Sequence, residues 1–109
     1  MNVLTKPTLL KAIAVFPEAE SSLKRWYKLA SNAKWRSFED IKSAFGSVDR
    51  VGDFYIFNIN GNHYRLVAKI VFVIDKADGT TSTGMVFIRS VLTHKQYDDP
   101  SNWEKGVIG

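Results

Sequence analysis

The side chains best suited to chemistry lie in two short motifs, NHYRLVAK at residues 62–69 and IRSVLTHKQYD at residues 88–98. They supply cationic, imidazole and phenol groups: His63, Arg65, Lys69, Arg89, His94 and Tyr97. Such a set meets the needs of RNA cleavage by the neighbouring 2′-hydroxyl. That reaction requires a base for the hydroxyl, positive charge around the phosphorane and an acid for the leaving oxygen. Guanidinium groups bind phosphate bidentately, and aromatic rings stack on unpaired bases.

The same side chains also have structural interpretations. A lone histidine or arginine on a strand is more often a surface residue or a satisfied hydrogen-bonding group than a catalyst. His63 follows the turn signal Asn60-Gly61 and could close that hairpin, and Asp98 could either orient His94 or cap the next turn. Spacing alone leaves both interpretations open.

Three consecutive strands are predicted to position these groups, at residues 54–59, 64–75 and 85–93. Side chains alternate between the two faces of a strand. In the middle strand, His63, Arg65 and Lys69 share one face, and the apolar face holds Tyr64, Leu66, Ala68, Ile70, Phe72 and Ile74. In the last strand, one face holds Val86, Ile88, Ser90 and Leu92, and the other holds Met85, Phe87, Arg89, Val91 and Thr93. Antiparallel pairing of these two strands brings His94 towards His63 and Arg65.

Helices are predicted before the sheet. Apolar spacing favours a first helix that begins near Thr5 and a second over residues 18–34, which together form a helical hairpin. Ser37 and Asp40 resemble a capping box for a short third helix, and the polar residues 76–84 are predicted to form a flexible hairpin tip. This order predicts an α+β fold, with the N-terminal helical hairpin packed on one face of a twisted antiparallel sheet and the other face open.

Length and composition predict a single domain over residues 1–109, with a net charge of +4 and no cysteine. Two distant histidines without cysteine make a poor ligand set, so we expect no metal and no cofactor. No stretch is long and apolar enough to span a bilayer, and the N-terminus lacks the features of a signal peptide. These features predict a cytoplasmic protein without a membrane partner.

Residues 21–38 contain five cations and no acid: Lys24, Arg25, Lys28, Lys34 and Arg36. This run could face phosphates or an acidic partner, or it could be the solvated face of a helix. In the functional interpretation, Lys24 and Lys28 bind RNA together with Lys95. The sequence leaves both possibilities open.

The chain resembles the HigB toxins of bacterial type II toxin–antitoxin systems, which belong to the RelE-like superfamily. The most specific parts of the resemblance are NHYRL at residues 62–66 and THKQYD at residues 93–98, and WRSFEDIK at residues 35–42 also fits. The resemblance implies a RelE-like fold. It also implies an endoribonuclease, or mRNA interferase, that cuts mRNA, commonly within the translating ribosome, and so inhibits translation.

Partners and site residues are implied by the same resemblance. A HigA-type helix-turn-helix antitoxin would neutralise the toxin, and operator DNA would be bound only through the antitoxin. Arg65, Lys69 and Arg89 would bind the phosphate and stabilise the transition state. His94 is the first candidate for proton transfer and His63 the second, while Tyr97 is a candidate for stacking or acid catalysis. The sequence departs from the family in a longer connection at residues 76–84 and in an extension at residues 100–109.

A different class of function fits the same fold. A non-catalytic RNA-binding or protein-docking module would bind RNA in a salt-dependent way without cutting it, whereas the nuclease would produce cleaved transcripts.

Overall fold

The computed structural model describes residues 1–103, which form a helical layer packed on one face of a five-stranded sheet. The helices are α1 (Lys6–Val15), α2 (Glu20–Asn32), α3 (Phe38–Ala44) and α4 (His94–Tyr97), with 3₁₀ turns at Pro17–Ala19 and Pro100–Asn102. The strands are β1 (Asn2–Val3), β2 (Asp49–Val51), β3 (Phe54–Ile59), β4 (Tyr64–Val71) and β5 (Met85–Thr93), in the spatial order β1-β5-β4-β3-β2. Neighbouring strands are antiparallel, except that β1 runs parallel to β5. The predicted α+β class is confirmed.

The second helix of the helical hairpin is shorter than the sequence predicts. α1 begins just after Thr5, as expected. α2 begins at Glu20 because Pro17–Ala19 forms a separate 3₁₀ turn, and it ends at Asn32 because Ala33 adopts an extended backbone. The two helices therefore form where the apolar spacing places them, while the bounds of α2 move inward by about two residues at each end.

The third helix has one of the two bonds of the predicted capping box, since the carboxylate of Asp40 accepts from the N–H of Arg36 and not from that of Ser37, and the segment before it is joined to the long hairpin between β4 and β5. Ser37 Oγ accepts a hydrogen bond from the Asp40 backbone N–H over 3.3 Å. The guanidinium of Arg36 donates two hydrogen bonds of 3.1 Å to the carboxylate of Asp75. Asp75 in turn forms an isolated β-bridge with Thr81. The hairpin tip, which the sequence predicts to be flexible, thus has a defined attachment at its base.

The sheet contains the three predicted strands and two more. β3 and β5 have the predicted bounds, but β4 ends at Val71 rather than at Asp75. Beyond β4 the backbone N–H of Val73 donates to the carbonyl of Trp35 over 2.9 Å. The chain there is bonded to the segment between α2 and α3 and no longer to β5. β1 and β2 have only two and three residues, too few to produce a recognisable alternation of apolar and polar residues.

The main core lies between the helical layer and the sheet. Its fully buried side chains include Leu23, Trp26, Ile41, Phe57, Leu66 and Val86. The rings of Trp26 and Phe57 meet edge to face, with their centroids 5.5 Å apart. Each such side chain contributes about 1.5–3 kcal/mol through burial. Because Leu66 must face this core, the strand alternation forces its neighbour Arg65 onto the opposite face.

A β-bulge at Arg89 changes the faces of β5. Ser90 is paired with Val67 and Ile88 with Ala68, which leaves Arg89 without a partner residue on β4. Directly paired residues lie on the same face, so Ser90 lies away from the helices, with Val67. The alternation of faces predicted from the sequence is wrong after the bulge, because one extra residue moves every following side chain to the opposite face of the sheet. The prediction is therefore wrong for four residues, Ser90, Val91, Leu92 and Thr93.

Candidate active site

The sheet face that points away from the helical layer, called the second face below, is not open as the sequence predicts. Trp103 is only 2% exposed and packs there against Phe54, Ile56 and Val67. Its indole N–H donates to the carbonyl of Tyr97 over 2.9 Å, which holds the segment after α4 against the sheet. The predicted site residues therefore lie around a small apolar cluster instead of on a bare sheet.

Four of the predicted residues come together where β4 begins and β5 ends. We call them the histidine group: His63, Arg65, His94 and Tyr97. The backbone N–H of His94 donates to the carbonyl of His63 over 3.0 Å, and the guanidinium carbon of Arg65 lies 5.9 Å from the centroid of the Tyr97 ring. The prediction that strand pairing brings His94 to this place is confirmed.

Within the histidine group, the guanidinium of Arg65 supports the turn between β3 and β4. Arg65 is only 8% exposed. Its Nη1 donates to the carbonyls of Asn62 and Tyr64, both over 3.1 Å, and its Nη2 donates to Oδ1 of Asn62 over 2.7 Å. A guanidinium has five N–H donors, so some remain for a phosphate. The sequence predicts that Arg65 binds the phosphate of the substrate. In the structure, several of its N–H groups instead hold the turn that carries His63.

The side chain of His94 is half exposed and lies beside a carboxylate. Its Nδ1 is 3.6 Å from Oδ2 of Asp98, so the two form an ion pair when the imidazole is protonated. The sequence leaves open whether Asp98 orients His94 or caps the next turn. The structure places Asp98 beside His94, and Asp99 caps the 3₁₀ turn by accepting a hydrogen bond from the N–H of Ser101.

The two remaining cations of the predicted site share one aromatic ring. Lys69 Nζ and the guanidinium carbon of Arg89 each lie 5.4 Å from the centroid of the Phe54 ring, and we call these two cations the lysine–arginine group. Arg89 Nε donates to the carbonyl of Trp103 over 3.4 Å. Its Nη2 is buried and has no hydrogen-bond partner within residues 1–103. A buried N–H without an acceptor is costly, so this position suits an anionic ligand.

The histidine group and the lysine–arginine group lie on one face, at different positions along the sheet. Arg65 and Lys69 are four residues apart on β4, which corresponds to about 13 Å along a strand. Val67 stands between them and belongs to the apolar cluster under Trp103. Contact of both groups with one phosphate stays a prediction, and it requires the long cationic side chains to extend towards each other.

The predicted RNA-binding lysines lie in two different places. Lys95 follows His94 on the exposed surface of α4. Lys24 and Lys28 lie on the exposed side of α2 in the helical layer, where Lys24 is paired with Glu20 over 2.6 Å. The structure therefore brings Lys95 to the histidine group and leaves the two lysines of α2 apart from the second face.

Residues 1–103 contain neither a metal-binding cluster nor a membrane-spanning helix. No group of three or more histidine, aspartate and glutamate side chains is arranged to hold a metal ion. In the same part of the chain, no helix combines the length and the apolar character needed to cross a membrane.

Sequence reasoning missed the aromatic residues that organise the second face. Phe54 carries both cations of the lysine–arginine group, and Trp103 stacks on Tyr97 with the ring planes 12° apart. A signal for Phe54 was available, because Phe54 and Ile56 alternate with the core residues of β3 and give the second face an apolar patch that needs a cover. Trp103 follows a polar turn, and no local pattern indicates where its side chain packs.

This architecture, with a helical hairpin on one sheet face and cations and histidines on the other, is of the RelE-like class. A family model, HigB_toxin, described as the RelE-like toxic component of a toxin–antitoxin system, matches residues 19–100. The chain therefore belongs to the HigB toxin family.

Curated relatives agree with this assignment. The mRNA interferase toxin HigB of Escherichia coli strain K12 is 29% identical over 101 residues, which cover 90% of this chain and 88% of the relative. The mRNA interferase HigB of Shigella flexneri has the same identity and coverage. The mRNA interferase HigB of Escherichia coli O6:H1 is 21% identical over 101 residues, covering 90% of this chain and 89% of the relative.

Proposed function

We propose that this chain is a metal-independent endoribonuclease that cuts mRNA through attack of the 2′-hydroxyl on the adjacent phosphate. The observation that carries the proposal is the placement of imidazole and guanidinium groups on one sheet face, with a buried Arg89 Nη2 that lacks an acceptor within residues 1–103. The relatives named mRNA interferases support the same activity.

His94 is the proposed residue for proton transfer, with His63 as the second imidazole. An imidazole exchanges its proton near neutral pH, as a general acid or base must. Nδ1 of His94 faces Oδ2 of Asp98, which leaves Nε2 for the substrate. Tyr97 lies beside the guanidinium of Arg65 and supplies either a stacking ring or a phenol proton.

Charge stabilisation is assigned to Arg89, Lys69 and Arg65. Negative charge develops on the phosphorane oxygens during attack, and fixed cations on a partly apolar surface stabilise that charge more effectively than water does. Arg89 is held in place by the Phe54 ring and by the carbonyl of Trp103, so its free N–H groups are already oriented. Arg65 contributes by its charge and by fixing the turn at Asn62.

The proposed partners follow from the family. An antitoxin of the HigA type, with a helix-turn-helix domain, neutralises the toxin, and operator DNA is contacted only through it. The substrate is mRNA on the translating ribosome in the cytoplasm, and Lys24, Lys28 and Lys95 contact RNA there.

The proposal is tested with the purified chain in two reactions, one with free single-stranded RNA and one with mRNA on translating ribosomes. The expected product carries a 2′,3′-cyclic phosphate, and a 2′-deoxy substitution at the cleavage site should abolish the cut. Arg89→Ala should slow cleavage by about 100-fold or more, as expected when a donor to a developing oxyanion is lost.

Lys42→Ala is the matched control for this experiment. Lys42 also lies over an aromatic ring, with its Nζ 5.7 Å from the centroid of Phe38, but on α3 in the helical layer. The Lys42→Ala variant should cleave like wild type. Salt-dependent RNA binding without cleavage in either reaction would overturn the nuclease and support the non-catalytic module.

A further inference from the structure

A groove runs between α1 and the edge of β5, next to the lysine–arginine group of the proposed active site. It consists of two adjoining cavities of about 400 and 410 Å³. Both are lined by Thr8 and Lys11 of α1 and by Arg89 at the bulge of β5. Each cavity falls in the range of about 300–1,000 Å³ that is typical of ligand pockets. We call this feature the α1–β5 groove.

The α1–β5 groove is positively charged. Lys11, Lys69 and Arg89 line it, and none of the described residues that line it is acidic. The other polar lining residues carry hydroxyl or amide groups: Thr5, Thr8, Ser90, Gln96 and Asn102. Arg89, which lines both cavities, also has a buried Nη2 with no acceptor in residues 1–103. Charge and donors together favour an anionic occupant.

An exposed aromatic ring lies in the same groove. Phe87 is 36% exposed, lines the cavity with Lys11, and is paired across the strands with Lys69 on the second face. A basic groove with an accessible ring is the arrangement that binds single-stranded nucleic acid, because phosphates contact the cations and bases stack on the ring. A single exposed phenylalanine is common on protein surfaces and by itself indicates no binding site. Phe87 lies in a groove with three cations, and this combination indicates nucleic-acid binding.

We infer that the α1–β5 groove holds the RNA strand on one side of the scissile phosphate, with Lys11 bound to a backbone phosphate and a base stacked on Phe87. This inference rests on the proposed function, because Arg89 lines both the groove and the proposed active site. Lys11 and Phe87 are binding residues here and take no part in proton transfer.

An added peptide strand fits this groove less well than RNA does. A peptide would pair with the edge of β5, but part of that edge is used, since the N–H of Ile88 donates to Thr5 Oγ1 over 2.6 Å. β1 already occupies the edge at Met85 and Val86. What remains between α1 and β5 is a charged groove rather than a long free strand.

The test measures binding of an RNA oligomer whose 2′-hydroxyls are all methylated, so that it binds but cannot be cut. Fluorescence anisotropy at several salt concentrations gives the affinity and its salt dependence. Lys11→Ala should weaken binding several-fold and reduce the slope of log K against log salt by about 0.7, the value for one phosphate contact on a single strand. Phe87→Leu should weaken binding by about fivefold or more, while Phe87→Trp should bind like wild type, because only the aromatic residues stack.

Lys6→Ala is the matched control on the same helix, since Lys6 Nζ lies over the ring of Tyr27, 5.3 Å from its centroid, and lines neither cavity. Wild-type affinity in Lys11→Ala and Phe87→Leu, with normal cleavage by the wild type, would overturn the groove assignment and leave the proposed function intact. Loss of antitoxin binding in these variants with unchanged RNA binding would also overturn it, in favour of a protein-docking surface. If the variants lose RNA affinity as expected but the wild type cuts no RNA, the groove stands and the proposed nuclease fails.

Discussion

His94 and His63 are joined by a backbone hydrogen bond, in which the N–H of His94 donates to the carbonyl of His63 over 3.0 Å. The bond closes the ladder between β4 and β5 one step beyond the pair Tyr64 and Thr93. Both imidazoles are thus carried by main chain that is fixed at the same end of the sheet. Because the bond involves only backbone atoms, substitution of either side chain leaves it intact. Variants of the two histidines therefore test catalysis without disturbing this part of the fold.

His94→Ala should lower the cleavage rate by about 10²–10⁴-fold, the usual contribution of a general acid or base. His63→Ala should lower it less, because His63 has no carboxylate partner comparable to Asp98 among the described residues. Both side chains are exposed, so the midpoint of thermal unfolding should stay near that of wild type. Rates are measured with a fixed RNA substrate under single-turnover conditions. Equal rates for wild type and His94→Ala would contradict the assignment.

Arg65→Ala should reduce the free energy of unfolding by about 2–3 kcal/mol, because it removes several hydrogen bonds from a charged, buried donor. Arg65→Lys should restore little of this loss, since a single ammonium cannot reproduce the planar fork that holds Asn62. Urea denaturation measures both variants, with Arg50→Ala as the exposed-arginine control. An unchanged free energy of unfolding in Arg65→Ala would show that the side chain is not structural and would leave its charge to the substrate alone.

The alternation in β4 was enough to separate the two faces of the sheet. Tyr64, Leu66 and Ala68 face the helices, and Arg65 and Lys69 face away, as their spacing indicates. The same reasoning fails in β5 because the bulge has no local signature. A bulge at Arg89 depends on contacts from distant parts of the chain, including Thr5 Oγ1 at Ile88 and the ring of Phe54 under the guanidinium.

The other misses also arise from contacts between distant residues. Phe72 and Ile74 continue the alternation of β4, so the sequence predicts a longer strand. In the structure the strand ends at Val71, and the N–H of Val73 donates to the carbonyl of Trp35. Trp103 closes over the second face because Phe54 and Val67 need an apolar cover. Such effects are set by what the folded chain brings together, which no window of neighbouring residues contains.

Trp103→Ala should reduce the free energy of unfolding by about 3–5 kcal/mol, since it removes a fully buried indole and leaves a cavity over Phe54. It should also lower cleavage, because the ring stack on Tyr97 is lost and the backbone carbonyl that accepts from Arg89 Nε is no longer anchored by the indole. Trp103→Phe should keep most of the stability but lose the indole hydrogen bond to Tyr97. Urea denaturation and near-ultraviolet circular dichroism measure the effect. Wild-type stability in Trp103→Ala would contradict the covering role.

The cap at Asp99 should make this covering segment sensitive to acid. The hydroxyl of Ser101 donates to Oδ1 of Asp99 over 2.8 Å and the N–H of Ser101 donates over 3.1 Å, and these bonds lower the pKa of Asp99 below its usual value. Because the folded state favours the carboxylate, the stabilisation is present above the unfolded pKa of about 3.9 and is lost as the pH falls through the folded pKa.

Ser101→Ala should therefore raise the pKa of Asp99 in a carboxyl NMR titration and lower the free energy of unfolding at neutral pH. The two proteins should become equally stable in strong acid. Thr80→Ala is the matched control, since Thr80 lowers the pKa of Asp78 in the same way at the hairpin tip and should leave Asp99 unchanged. An unchanged pKa of Asp99 in Ser101→Ala would contradict the cap.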